Sequence, residues 1–131
     1  MRTAIDLEFV PRSSVIRTAR DAATVLHEFL PSDRVDDVRL LVSEIVTNSV
    51  RHRQAPRGRE DWIRLRVVKG EGAVRVEVSN AGSSVSFERA AKEGALRESG
   101  WGMYLLEHLA DRWGVDSSPD DTCVWFEIDA A

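Results

Sequence analysis

Three polar side chains recur at four-residue steps along the edge of an apolar stripe in the segment LVSEIVTNSVRH, residues 41–52. In a helix, Glu44, Asn48 and His52 form one row, because each four-residue step turns by only about 40°. The row flanks an apolar stripe made of Val38, Leu41, Val42, Ile45 and Ser49. A carboxylate and an amide oxygen one turn apart suit Mg²⁺, a phosphate ester or an activated hydroxyl. The spacing therefore favours phosphate chemistry at the margin of a core.

Two glycines precede another apolar-patterned segment, ESGWGMYLLEHLAD at residues 98–111. Ser99, Gly100 and Gly102 lie where a charged connector enters a predicted helix. The first turn of a helix exposes backbone N–H groups, and glycine lets a ligand approach the backbone closely. This arrangement predicts an anion site that suits a phosphate group.

A third pattern, VEVSNAGSS at residues 76–84, places Asn80 at the end of a predicted strand and Gly82 two positions later. Each of the three patterns also fits an ordinary structural role. The polar row fits the boundary of a helix, the serine and glycines fit a plain helix cap, and the strand end fits a turn. Taken one at a time, the patterns leave both explanations open.

Hydrophobic periodicity and breaker residues predict the elements that position these groups. The predicted order is a strand (3–10), a helix from Ser13 or Ser14 to about Leu30, a helix from Asp33 to about His52 or Arg53, a hairpin (62–70 and 73–80), a helix (100–113), and one or two strands around a turn at 119–121. Helices that do not alternate regularly with strands indicate an α+β fold. We expect one domain over residues 1–131, a two-layer sandwich with a mixed, mostly antiparallel sheet and helices on one face.

Composition restricts the function classes. The chain has 131 residues, 31% of them charged, and a net charge of −4, which gives no basic field for nucleic acid. Cys123 is the single cysteine and has no internal disulfide partner. The start of the sequence lacks the apolar run of a signal peptide, and no segment is apolar for the length of a membrane span. We therefore expect a cytoplasmic protein without a structural metal.

Together, the three segments resemble the GHKL or Bergerat-fold ATPases, which include gyrase, heat-shock chaperones, mismatch-repair proteins and histidine-kinase catalytic domains. The resemblance is greatest to the short anti-sigma-factor serine/threonine kinases of the actinobacterial type. SEIVTNSVRH is similar to the asparagine box of that group, VEVSNAGSS to its first glycine box, and SGWGMYLLEHLADRWGV to its second. The resemblance extends from about Val15 to Ile128.

The resemblance implies a role for each matching position. Glu44 matches the general base that acts on the attacking hydroxyl, and Asn48 matches the residue that holds Mg²⁺ against the phosphates of ATP. His52 matches a position near the site. The other cofactor-binding positions that the resemblance implies are Asn80, Gly82, Ser99, Gly100, Gly102 and Met103. Residues 85–98 match the lid.

The first glycine box departs from the family pattern of aspartate, any residue, glycine, any residue, glycine. Asn80 replaces the aspartate and Ser84 replaces the second glycine. An ionised aspartate only accepts hydrogen bonds, whereas an amide both accepts and donates. We therefore expect weaker adenine binding and poor discrimination against guanine.

Two other positions also bear on the resemblance. Trp101 stands where relatives often have arginine. Thr122 and Cys123 are both candidates for the position of a threonine that faces the purine in relatives.

Two functions remain open at this point. The resemblance implies an ATP- and Mg²⁺-dependent regulator that phosphorylates a protein antagonist and sequesters a sigma factor, as a homodimer formed through the N-terminal strand region. The alternative is a non-catalytic protein-binding module with weak or no nucleotide binding, which the changes at Asn80 and Ser84 favour.

Overall fold

The computed structural model describes residues 2–10, 13–51, 62–81, 102–118 and 121–130. The strands are β1 (Arg2–Phe9), β2 (Ile63–Lys69), β3 (Ala73–Ala81), β4 (Arg112–Ser117) and β5 (Asp121–Asp129). The helices are α1 (Ser13–Ala22), a 3₁₀ helix (Ala23–Glu28), α2 (Ser32–Arg51) and α3 (Gly102–Leu109). Within these ranges, no helix combines the length and the apolar character needed to cross a bilayer.

The strands form one five-stranded sheet in the order β1-β2-β3-β5-β4. Every strand pair within it is antiparallel. β2 and β3 form the predicted hairpin, in which the backbone N–H of Gly70 donates to Ala73 O across the joint. Because alternate residues of a strand point to opposite faces, the pairing register fixes which side chains meet the helices.

One face of the sheet carries the core. Its central strands β3 and β5 bury Val74, Val76, Val78, Val124, Phe126 and Ile128. These side chains join one cluster with apolar residues of α1, α2, the 3₁₀ helix and α3. The opposite face presents charged residues. The described helices therefore cover one face only, and the predicted two-layer α+β sandwich is confirmed.

The first predicted helix does not continue as an α-helix to Leu30. It changes at Ala23 into the 3₁₀ helix, where Ala23 and Leu26 are both buried. A three-residue spacing of buried side chains suits 3₁₀ geometry, and Thr24 Oγ1 donates to Asp21 O (2.8 Å), which is a competing side-chain bond. Sequence periodicity did not separate the two helix types.

The predicted helix over 100–113 was too long at its carboxyl end. α3 ends at Leu109, while Arg112 and Trp113 belong to β4 and pair with β5. The chain leaves the helix because the backbone N–H of Asp111 donates to Glu127 O (3.0 Å). A residue 16 positions ahead thus ends the helix, and local pattern could not reveal this.

Candidate functional site

Helix α2 places the predicted polar row beside the core. Its apolar stripe is fully buried at Val38, Leu41, Val42 and Ile45. Burial of this stripe fixes the rotation of the helix, so the neighbouring row lies at the boundary between the core and the surface. Asn48 is only 6% exposed, and Glu44 is half-buried. α2 packs against α1, α3, β3 and β5, so this row belongs to a part of the helix held on several sides.

The amide of Asn48 holds an unsatisfied acceptor. Its Oδ1 atom is buried and has no hydrogen-bond partner in the described part of the chain. A buried acceptor without a partner costs about 1–3 kcal/mol relative to a satisfied one. Buried Nε atoms of Arg20 and Arg39 also lack hydrogen-bond partners in the described structure, but Asn48 Oδ1 is an acceptor on the predicted polar row, which makes it the candidate position for a ligand.

Glu44 lies one helical turn before Asn48. No ion pair or hydrogen bond joins its carboxylate to another described residue. Thr47, also on α2, differs because its Oγ1 donates to Ser43 O (2.6 Å) within the helix. A half-buried carboxylate at this position could accept a proton from an incoming hydroxyl.

The register of β3 and β5 shows which residue faces the helices beside Asn80. Asn80 pairs with Thr122, and Ser79 pairs with Cys123. Thr122 is buried on the face that carries Val124 and Phe126, whereas Cys123 is half-buried on the outer face. Of the two competing candidates, Thr122 therefore holds the inner position. The sequence could not decide this, because a shift of one residue exchanges the faces.

The amide of Asn80 is oriented by the strand itself. Its Nδ2 donates to Ala81 O (3.2 Å), and Asn80 is half-buried. With the donor engaged in this way, Oδ1 is the atom that the amide offers as an acceptor. An acceptor is what the exocyclic amino group of adenine requires.

Within the described residues α3 spans Gly102–Leu109, with Met103 in its first turn. The helix is anchored by Leu106, which is fully buried. His52, Gly82, Ser99 and Gly100 lie outside the described residues, as do Ser84, Trp101 and the predicted lid at 85–98. Their assignments stay predictions.

An ion-pair junction joins the two helices that carry site residues, and sequence reasoning missed it. Arg34, near the start of α2, donates from Nη1 to Leu109 O (3.2 Å) and to Asp37 Oδ2 (2.8 Å). Its Nη2 donates to Asp111 Oδ2 (3.0 Å). The same carboxylate oxygen accepts a bond from the backbone N–H of Asp129 (2.7 Å). The partners are 77 positions apart, so no local spacing signal pointed to this junction.

The outer face of the sheet carries a different kind of polar surface. A cavity of about 590 Å³ there is lined by Arg66, Val68, Gly70, Glu71, Gly72, Ala73, Arg75, Glu77, Arg112, Glu127 and Asp129. Its charges pair with one another: Arg66 with Glu77 (3.1 Å) and Arg112 with Glu127 (2.7 Å). The cavity does not include Glu44 or Asn48. We assign the candidate site to the helix-facing side for this reason.

Comparison with known proteins identifies the family to which the chain is related. Residues 9–128 match the family model described as the histidine kinase-like ATPase domain. The chain is 30% identical over 100 residues to the serine-protein kinase RsbW of Staphylococcus aureus, covering 69% of this chain and 63% of that protein. It is 30% identical over 89 residues to the same-named protein of strain bovine RF122 / ET3-1, covering 60% and 56%. The alignments thus span less than two thirds of the length of these relatives.

Proposed function

The chain belongs to the histidine kinase-like ATPase family, and from this premise we propose that it binds Mg-ATP and transfers a phosphoryl group to a serine or threonine of a protein antagonist. The observation that carries the proposal is the buried Oδ1 of Asn48, which has no partner among the described residues and lies one turn from the carboxylate of Glu44. A polar pair of this kind costs stability in the free protein. A bound nucleotide and cation would recover that cost.

The donor chemistry fits a magnesium nucleotide. Mg²⁺ prefers oxygen ligands, is commonly held by one or two protein groups together with substrate phosphates, and keeps several waters. Asn48 Oδ1 is a neutral oxygen of this kind and is the residue that would hold the cation. When bound, the cation would neutralise charge on the phosphates, which is most of what phosphoryl transfer demands.

The remaining roles fall to groups of the chain itself. Glu44 would accept the proton of the attacking hydroxyl. The exposed N–H groups at the start of α3 would donate to phosphate oxygens, with Gly102 leaving room for their approach. His52, Gly82, Ser99, Gly100 and Met103 would complete the nucleotide contacts.

Asn80 and Thr122 would hold the purine, since they pair across β3 and β5 and belong to the helix-facing side. One N–H of Asn80 Nδ2 is engaged, and its carbonyl oxygen is available as an acceptor for the amino group of adenine. The amide keeps the ability to rotate, so the preference for ATP over GTP would be weaker than an ionised aspartate provides.

The proposed partners come from the family resemblance and from the name of the relatives, serine-protein kinase. They are a sigma factor, which the protein would sequester, and an antagonist protein, which it would phosphorylate. Both partners act on transcription, so we place the protein in the cytoplasm. A homodimer formed through the region of β1 is part of the same proposal.

Titration calorimetry with ATP, in the presence of Mg²⁺ and again with a chelator, tests the binding claim. We expect Mg²⁺-dependent ATP binding and a rise in Kd of about tenfold or more for Asn48→Ala, since a contact to a charged ligand is lost. Thr47→Val is the matched control, because its hydroxyl is already bonded within α2. Absence of ATP binding by the wild-type protein would defeat the proposal and leave a non-catalytic binding module.

A further inference from the structure

In the described structure, a side chain from another helix bonds to the carboxyl end of α3. Arg34 contacts the last carbonyl of the helix, Leu109 O, and the carboxylate of Asp111 two residues later. Asp111 is in turn bonded to the backbone of β5 at Asp129 and Glu127. One guanidinium thus connects the start of α2, the end of α3 and the end of β5.

We infer that Arg34 is a positioning residue for nucleotide binding, because it sets how the start of α3 is presented beside α2. This inference rests on the proposed function, in which the N–H groups at Gly102 contact phosphate. Arg34 itself lies at the opposite end of α3 and acts through that helix.

The shape of α3 explains how a contact at one end reaches the other. The helix has eight residues, so it is about 12 Å long and moves as a rigid rod. Among its residues with described side chains, only Leu106 is fully buried, while Leu105 and Leu109 are partly buried against the core. The bond from Arg34 to Leu109 O adds a side-chain attachment at the carboxyl end, beside the backbone bond from Asp111 to Glu127, and so restricts tilting of the helix about Leu106.

Electrostatics favours the same arrangement. A cation at the carboxyl end of a helix interacts favourably with the helix dipole, and Arg34 also satisfies one of the carbonyls that the helix end leaves without a partner. The Arg34 side chain is 25% exposed and that of Asp111 is 36% exposed, so water screens the pair only in part. The planar guanidinium is needed to reach the carbonyl and the carboxylate together.

The test uses three variants of the full chain. Arg34→Met removes the charge and the fork but keeps an apolar stem, and Arg34→Lys keeps the charge without the fork. Arg64→Met is the matched control, because Arg64 makes a two-bond ion pair with Asp6 (2.8 and 2.7 Å) on the outer face of the sheet. Arg64→Met also removes one positive charge and one two-bond ion pair, but at a place distant from α3 in the fold.

Two measurements are made on each variant. Hydrogen exchange of backbone amides in 102–109, without nucleotide, reports the order of α3. Titration with Mg-ATP reports how the order of α3 affects the Kd for the nucleotide. For Arg34→Met we expect faster exchange in α3 and a Kd about tenfold higher, because displacement of a binding group by about 1 Å is costly. Arg34→Lys should recover part of both effects, and Arg64→Met should change neither.

Three results would overturn the inference: unchanged exchange in α3 of Arg34→Met, unchanged Mg-ATP affinity in that variant, or an equal effect in Arg64→Met. Failure of the proposed function gives a separate result. In that case the wild-type protein binds no Mg-ATP, so Arg34 has no role in nucleotide binding. The hydrogen-exchange measurement still decides whether Arg34 orders α3.

Discussion

The two faces of the structure treat polar side chains in opposite ways. On the outer face of the sheet, the charged groups form a ladder of pairs, such as Arg66 with Glu77 and Arg75 with Glu127. Along α2, on the helix-facing side, Asn48 Oδ1 is buried without a partner in the described structure. The more buried polar group is therefore the less satisfied one.

This contrast distinguishes polar groups that stabilise the fold from polar groups that are available to a ligand. Charges that satisfy each other at the surface add little to stability and offer few open positions to a ligand. An unsatisfied buried acceptor has a cost, and it persists where function requires it. The number of charged residues alone would have pointed to the outer face, whereas the buried acceptor of Asn48, beside Glu44, points to α2.

The largest expected effect is on catalysis at Glu44. Glu44→Gln keeps the size of the side chain but removes the proton acceptor, so transfer of label from ATP to the unphosphorylated antagonist should fall about 100-fold or more. Glu77→Gln, on the outer face, is the control and should transfer label at the wild-type rate. Equal rates for Glu44→Gln and wild type would remove Glu44 from the mechanism.

The next largest effect is expected for a substitution on the outer face, which should lower the stability of the protein without changing its affinity for ATP. A Cβ at Gly114 would lie 2.8 Å from ring atoms of Trp125, which also contacts Arg75 (4.2 Å to the ring centroid). Gly114→Ala should lower the free energy of unfolding by about 1–3 kcal/mol in denaturant titrations. Gly72→Ala, where a Cβ meets nothing within 4 Å, is the control. A change in ATP affinity of Gly114→Ala would contradict the separation of the two faces.

A smaller effect on stability is expected when one charge is removed from the ladder of ion pairs on the outer face of the sheet. Arg112 pairs with Glu127 and Asp129, and these contacts raise the pKa of the guanidinium. Because the group is exposed, Arg112→Gln should lower Tm less than Gly114→Ala does, and the difference from wild type should shrink as salt is added. Thermal unfolding at low and high salt measures this. A large decrease that salt does not affect would show that the ladder is structural.

The smallest effect concerns alkaline pH. Burial raises the pKa of the Cys123 thiol above its usual range. The folded chain then keeps this proton when the unfolded chain has lost it, so the contribution is complete below the unfolded pKa and is lost as pH rises through the folded pKa. Wild type should therefore lose slightly more stability than Cys123→Ser between neutral and alkaline pH in denaturant titrations. Parallel curves would contradict burial of the thiol.

Sequence predicted the parts of the fold that depend on local pattern. Alternating valines in β3 identified the strand, and the stripe beside Glu44 and Asn48 identified α2. Features set by distant partners were missed: the end of α3 depends on Glu127, and the junction of Arg34 depends on Asp111. The face occupied by Thr122 also required the register of two strands. Burial of Asn48 Oδ1 is a packing result that residue types alone do not give.

Asn48→Leu tests the central claim most directly, through the free energy of unfolding measured with and without Mg-ATP. The branched apolar side chain removes the unsatisfied acceptor, so without nucleotide the variant should be as stable as wild type or up to about 1 kcal/mol more stable. Stabilisation by Mg-ATP, seen in wild type and in the Thr47→Val control, should be lost. A variant destabilised by about 2 kcal/mol or more that still gains stability from Mg-ATP would contradict the account.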